Sequence, residues 1–286
     1  MIGDKVHFLY RAIGSDLISR FGYANSRDGI NLDERMDEPV YQYNSMRPSF
    51  NSCASGGSLG GIEDPRIVKI GDTVHVTYTV CDDDGLGVGI SSIKVDDFLD
   101  KDWDRARIRV ISPLGETHKN WVLFPEKING RYAILHSISP KILIDYLDDV
   151  EFEGEGLIGS HHSGVLKGGW NGGWESWIRG IGPPPIRTDY GWLVFYHALP
   201  KHISGGYCIG TMLLDLDDPT TILHRARAPI LTPWDNVEGV KPNVVYACGA
   251  VVKGDEVLVY YGANDTTVRV AHTNLDGFLN GLMTQN

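Results

Sequence analysis

The chain is short of cysteine, of net positive charge and of long apolar runs, and each shortage excludes something. Its four cysteines, Cys53, Cys81, Cys208 and Cys248, contain no CxxC spacing. Neither a zinc site nor a disulfide framework is indicated, and buried free thiols are expected. Lys and Arg number 26 against 37 Asp and Glu, a formal net charge of −11. Nucleic-acid binders gather cations on one face to neutralise phosphates, so no nucleic-acid partner is expected. A neutral ligand fits better, although one cavity can still be basic enough for a small anion. No run of about 18 apolar residues occurs, so no membrane span is expected. The opening MIGDKVHFLY has no basic segment leading into an apolar stretch and a cleavage site. A cytoplasmic protein is the expectation. His161-His162 lacks a third ligand at metal-binding spacing, and DDDG from Asp82 to Gly85 lacks the rest of a calcium loop, so no metal is expected.

What is present is a repeat. With 42% hydrophobic and 22% charged residues, the 286-residue chain has a globular composition. Five times, a turn containing Gly, Asp or Asn is followed by alternating apolar residues ending at an aromatic or histidine. The copies are Val6-Phe8-Tyr10, Val74-Val76-Tyr78, Tyr132-Ile134-His136, Trp192-Val194-Tyr196 and Val257-Val259-Tyr261, whose last members lie 68, 58, 60 and 65 residues apart. Period-two alternation rich in β-branched and aromatic residues marks half-buried strands. In four copies a short strand precedes the turn, in EDPRIVKIGD, LFPEKINGR, PPPIRTDYG and YACGAVVKGD, and each copy leads on to an acidic turn: SRDGI, VDDF, LDDV, LDDP and LDGF. Each unit is then a meander of about four strands, one blade of a propeller.

The predicted fold is all-β: a five-bladed β-propeller forming a single domain over residues 1–286, with the first blade incomplete at the N-terminus. Met1 lies too close to Val6 for the first copy to have its leading strand. A subunit contact that fills the gap, in a homo-oligomer, is one way to complete it.

In a propeller the first strand of each blade lines the central channel. Those segments hold Glu63, Asp64 and Arg66 and then Glu126 and Lys127, and Arg179 stands just before the third. Neighbouring strand residues face opposite sides, so one of Glu63 and Asp64 points into the channel while the other pairs with Arg66 or caps a turn. Two carboxylates flanking a sugar are the usual apparatus of glycoside cleavage, and Asp64 with Glu126 or Glu175 would serve. Trp170, Trp174 and Trp177 lie in the glycine-rich stretch SGVLKGGWNGGWESW, which reads as a loop whose aromatic faces stack on sugars.

The blocks GGIEDPRIVKIGD, NWVLFPEKINGRYAILH, GPPPIRTDYGWLVFYHA, GTMLLDLDDP and NVVYACGAVVKGDEVLVYYGANDT resemble, in order, the signature segments of glycoside hydrolase family 130. The resemblance implies β-mannoside substrates, inversion at the anomeric carbon, and no cofactor, with inorganic phosphate as co-substrate in the phosphorylases. It places the proton donor at Asp64, acting through the sugar's 3-hydroxyl. It places the phosphate anchors at Lys119, Ser137 and Arg179, with His118 nearby. A serine at position 137 stands where the family's phosphorylases carry arginine. The same blocks carry Glu63, Arg66, Asn120, Tyr196, His197 and Asp265, which with Trp174 are expected to contact the sugar. The leading expectation is a phosphorylase of manno-oligosaccharides that yields mannose 1-phosphate. The alternatives are an inverting β-mannosidase using Glu126 or Glu175 as base, and a sugar-binding propeller without catalysis.

Overall fold

A computed structural model of the chain describes residues 1–41, 58–82, 85–113, 115–139, 141–150, 158, 174–200, 206–233 and 243–285. Cys53, His161-His162 and Trp170 lie outside the described residues. The described residues are predominantly sheet, with two short α-helices among them, so the all-β reading holds. It divides into two compact units, residues 1–121 with 148–163 and residues 122–147 with 164–286.

The first unit is built on one seven-stranded sheet: β1 (Val6–Ile13), β2 (Ile18–Ser26), β3 (Glu34–Arg35), β4 (Gly60–Ile70), β5 (Thr73–Asp82), β6 (Gly85–Lys94) and β7 (Arg107–Val110), with helix α1 (Val95–Asp100) after β6. The first two repeats therefore share a sheet. Their junction is a short parallel pairing of β2 with β4, Ile18 opposite Gly60 and Ser19 opposite Gly61, while the other pairings are antiparallel. Gly61 has φ +119°, and a Cβ there would sit 2.1 Å from the Ser19 carbonyl oxygen. Only glycine allows the backbones this approach.

The second unit holds three sheets: β8 (Val122–Leu123), β9 (Tyr132–Ser137) and β10 (Leu143–Leu147); then β11 (Glu175–Ile181), β12 (Ile186–Thr188), β13 (Gly191–Pro200), β14 (Cys208–Leu214) and β15 (Ile222–Arg225); then β16 (Val245–Lys253), β17 (Glu256–Ala263) and β18 (Thr267–Asn274), followed by helix α2 (Leu275–Met283).

The repeat read in the sequence is a repeat of hairpins. Two residues link each pair of strands: Gly3-Asp4, Gly71-Asp72, Asn129-Gly130, Asp189-Tyr190 and Gly254-Asp255 lie between Ile2 and Lys5, Ile70 and Thr73, Ile128 and Arg131, Thr188 and Gly191, and Lys253 and Glu256. Positive φ at Gly3, Gly71, Asn129, Gly130 and Gly254 is what two-residue turns matched to strand twist require. In the first copy the leading strand is reduced to the bridge at Ile2.

A second device recurs across the hairpins. Tyr10, Tyr78 and Tyr196 stand directly opposite Gly22, Gly89 and Gly210. A Cβ on each glycine would lie 2.4–2.5 Å from the facing ring, so each tyrosine lies flat over its glycine. Around these pairs pack the cores: Phe21, Tyr23, Val76, Tyr78 and Phe98 in the first unit, and Leu135, Trp192, Val194, Tyr196 and Met212, with a further cluster about Phe195 and Val257, in the second.

Two expectations fail in detail. VDDF and LDGF begin helices rather than turns: α1 buries Phe98, and α2 buries Leu279 and Leu282, with the Asn274 side chain accepting the Gly277 N–H. A capping side chain and an acidic first turn favour helix where an apolar face can be covered. Cys81 is disulfide-bonded, whereas Cys208 and Cys248 are free, so the expectation of free thiols fails at Cys81. No helix among the described residues is long and apolar enough to cross a membrane.

Candidate active site

In the first unit the EDPR block sits at a break in the β4–β5 ladder. Glu63 pairs with Thr79 and Arg66 with Thr77. Asp64 and Pro65 therefore share one position on the partner strand, a bulge. Asp64 has φ +53°, a left-handed conformation that is costly for a residue with a side chain. Strict alternation is lost here, so Glu63 and Asp64 are not bound to opposite faces.

Arg66, 1% exposed, sustains the bulge. Its Nη1 donates to the Asp64 carbonyl oxygen at 2.7 Å and its Nη2 to Asn120 Oδ1 at 2.8 Å. Asn120 is itself left-handed, at φ +63°. Glu63 does not pair with Arg66. Its buried carboxylate accepts from Arg11 Nη2 at 2.9 Å and Ser58 Oγ at 3.0 Å, and Lys119 Nζ lies 3.5 Å from its other oxygen. Arg11 is held in turn by Ser19 Oγ at 2.7 Å. Lys119 thus belongs to a network anchored on a buried carboxylate, which limits where its ammonium can reach. His118 is 1% exposed, bonded to Glu116 Oε2 at 3.0 Å and set edge-on to Trp121.

In the second unit β11, β13 and β15 bring together Glu175, Tyr196 and Arg225. Glu175 is fully buried; Tyr196 Oη donates to its Oε1 at 3.1 Å, and Arg225 Nε lies 3.3 Å from the same oxygen. The Tyr196 hydroxyl titrates far above the usual tyrosine range, because burial and then the neighbouring carboxylate disfavour the phenolate. Trp174 stacks on Tyr196 with rings 6.4 Å apart. Tyr196 thus lies in the core, with Trp174 packed on it. Glu126 stands at the other extreme, exposed and paired with Arg187 at 3.3 Å.

At another place in the same unit, Arg179 Nε donates to Tyr207 Oη at 3.1 Å, with its guanidinium 5.2 Å from the Trp177 ring centre. Tyr207 meets Tyr246 edge-on, and Tyr246 stacks on His197 at 3.7 Å. His197 is fully buried, with Nε2 at 2.9 Å from the Ala247 carbonyl oxygen, and packs under the aromatic group. Ser137, at the end of β9, donates to the Ser139 carbonyl oxygen at 3.0 Å. Asp265 is an exposed, left-handed turn residue between β17 and β18. Among the described residues no three His, Cys, Asp or Glu side chains converge as metal ligands. Arg11, Ser58, Tyr207 and Arg225 carry no local sequence signal, because their partners are distant in the chain.

A sequence model of the glycoside hydrolase 130 family, described as beta-1,4-mannooligosaccharide phosphorylase, matches residues 2–284. The chain belongs to glycoside hydrolase family 130. This family 130 chain is 40% identical to a 1,2-beta-oligomannan phosphorylase of Thermoanaerobacter sp. (strain X514), over 93% of its own length and 84% of the relative's. It is 36% identical to a beta-1,2-mannobiose phosphorylase of the same organism, over 94% and 86% of the two chains. Its structure resembles that of the beta-1,2-mannobiose phosphorylase of Listeria innocua, with a TM-score of 0.73 and 28% identity, covering 94% of this chain and 70% of that one.

Proposed function

We propose that this chain is an inverting phosphorylase of β-linked manno-oligosaccharides, with β-1,2 linkages the first substrates to test. Asp64 supplies the proton, through the sugar's 3-hydroxyl, to the bridging oxygen. A phosphate oxygen attacks the anomeric carbon from the opposite face, the glycosidic C–O bond breaks, and the products are α-mannose 1-phosphate and a chain shorter by one mannose. Lys119 and Arg179 are the proposed phosphate anchors. We read the five repeats as blades of one propeller domain.

The observation that carries this reading is the bulge at Asp64. Asp64 is held at φ +53° in a bulge buttressed by a buried arginine, and backbone held in sparsely populated regions gathers at reacting groups. It also weighs against a non-catalytic sugar binder. A hydrolase would need a second carboxylate to activate water. Glu126 is exposed in an ion pair, and Glu175 is locked in the core by Tyr196 and Arg225. Neither is placed as a general base, which favours phosphate as the nucleophile.

The test is incubation with β-1,2-mannobiose, with and without inorganic phosphate. Mannose 1-phosphate formed only with phosphate supports the proposal. Release of two mannose molecules in phosphate-free buffer overturns it in favour of hydrolysis.

A further inference from the structure

We infer that Tyr207 is the positioning residue for Arg179, holding that guanidinium where it meets the phosphate; the inference rests on the reading of Arg179 as an anion anchor.

Arg179 is exposed on β11, and a long side chain in water samples many rotamers. A guanidinium recognises phosphate well only when its planar fork is aimed. Two contacts aim this one: Nε donates to Tyr207 Oη at 3.1 Å, and the group lies over the Trp177 ring at 5.2 Å. The hydrogen bond holds Nε and the Trp177 ring lies 5.2 Å from the guanidinium carbon, so together they restrict the group more than either would alone.

Tyr207 is itself held from both ends. Its backbone forms a parallel bridge with Val244: the Tyr207 N–H donates to the Asn243 carbonyl oxygen at 3.0 Å, and the Val245 N–H to the Tyr207 carbonyl oxygen at 3.3 Å. Its ring meets Tyr246 edge-on at 6.0 Å, Tyr246 stacks on His197 at 3.7 Å and 14°, and buried His197 is pinned to Ala247. The Ala247 N–H also donates to His197 Nε2 at 3.0 Å, so backbone atoms of one residue hold the ring in one orientation. The order of a β-strand backbone is thereby passed through His197, Tyr246 and Tyr207 to the exposed Arg179. Supporting shells of this kind set how well a binding group is aimed.

The test is steady-state kinetics of Tyr207→Phe, which removes only the hydroxyl, together with Arg179→Ala and the double variant. Loss of one hydrogen bond predicts that Tyr207→Phe raises KM for inorganic phosphate roughly three- to ten-fold, more than it changes kcat or KM for mannobiose, and leaves Tm in place. In the Arg179→Ala background the same change should add little, since there is no guanidinium left to aim. If Arg179→Ala raises KM for phosphate and Tyr207→Phe does not, the inference falls while the anchor reading stands. If Arg179→Ala leaves KM for phosphate unchanged, the anchor reading itself fails. An equal loss for phosphate and mannobiose in Tyr207→Phe, or a fall in Tm, would make Tyr207 a sugar contact or a structural residue and overturn its positioning role.

Discussion

Arg66 donates from Nη1 to the carbonyl oxygen of Asp64 at 2.7 Å, two residues back along the same strand. The contact ties the side chain of one residue to the unusual backbone of the other. Asp64→Asn should therefore fold normally, because asparagine tolerates the left-handed conformation at least as well as aspartate, while turnover falls by roughly 10²–10⁴-fold for want of the acid. Initial rates and circular dichroism on the same preparation check both halves. A variant retaining more than about a tenth of the wild-type rate would remove Asp64 from the acid role.

Glu175 and Glu126 should separate cleanly. Glu175→Gln breaks a buried pair whose arginine partner reaches solvent, so a loss of roughly 3 kcal/mol is expected, the low end for such pairs. Glu126→Gln, at an exposed ion pair, should cost at most about 1 kcal/mol. Urea denaturation measures both. A larger loss at Glu126 than at Glu175 would reverse the assignment of the two carboxylates.

Gly210 admits no Cβ while Tyr196 lies over it. Gly210→Ala should lower stability by about 1–3 kcal/mol through overpacking, and pairing it with Tyr196→Leu should recover part of the loss. Additive effects in the double variant would show that the ring and the glycine are not coupled.

His7 titrates below the usual imidazole value of 6.5, chiefly because burial disfavours the charged ring. A depressed folded pKa means that the neutral form is the one the fold prefers. The associated stability is present above pH 6.5 and is lost as pH falls from there through the lower folded value. Tm should thus drop between pH 7.5 and pH 5, and His7→Gln should flatten that slope. An unchanged slope would assign the acid sensitivity to other groups.

The family resemblance implies an arginine at position 137, where this chain carries serine. Ser137→Arg should lower KM for phosphate by about ten-fold if the added guanidinium finds the anion. A KM that rises or stays constant would mean that this position no longer faces the phosphate.

The sequence by itself determined the strands, their turns and the repeat, because each depends on neighbours within a few residues: alternating β-branched residues make the strand, and Gly-Asp or Asn-Gly supplies the positive φ of a two-residue turn. The EDPR block was likewise legible, as a motif. Only the tertiary structure decided what those residues do. Glu63 looked like a partner for Arg66 three positions on, but its partner is Arg11, 52 residues back, and no local pattern encodes a pairing made when β1 and β4 meet. Tyr196 and His197 are polar residues in a signature block, and their burial on both faces of β13 was not readable from that block alone. VDDF and LDGF had turn chemistry, but apolar partners for Phe98, Leu279 and Leu282 drew them into helices. Local propensity is settled within one segment, whereas burial, pairing and strain are set by whichever distant segment arrives beside it.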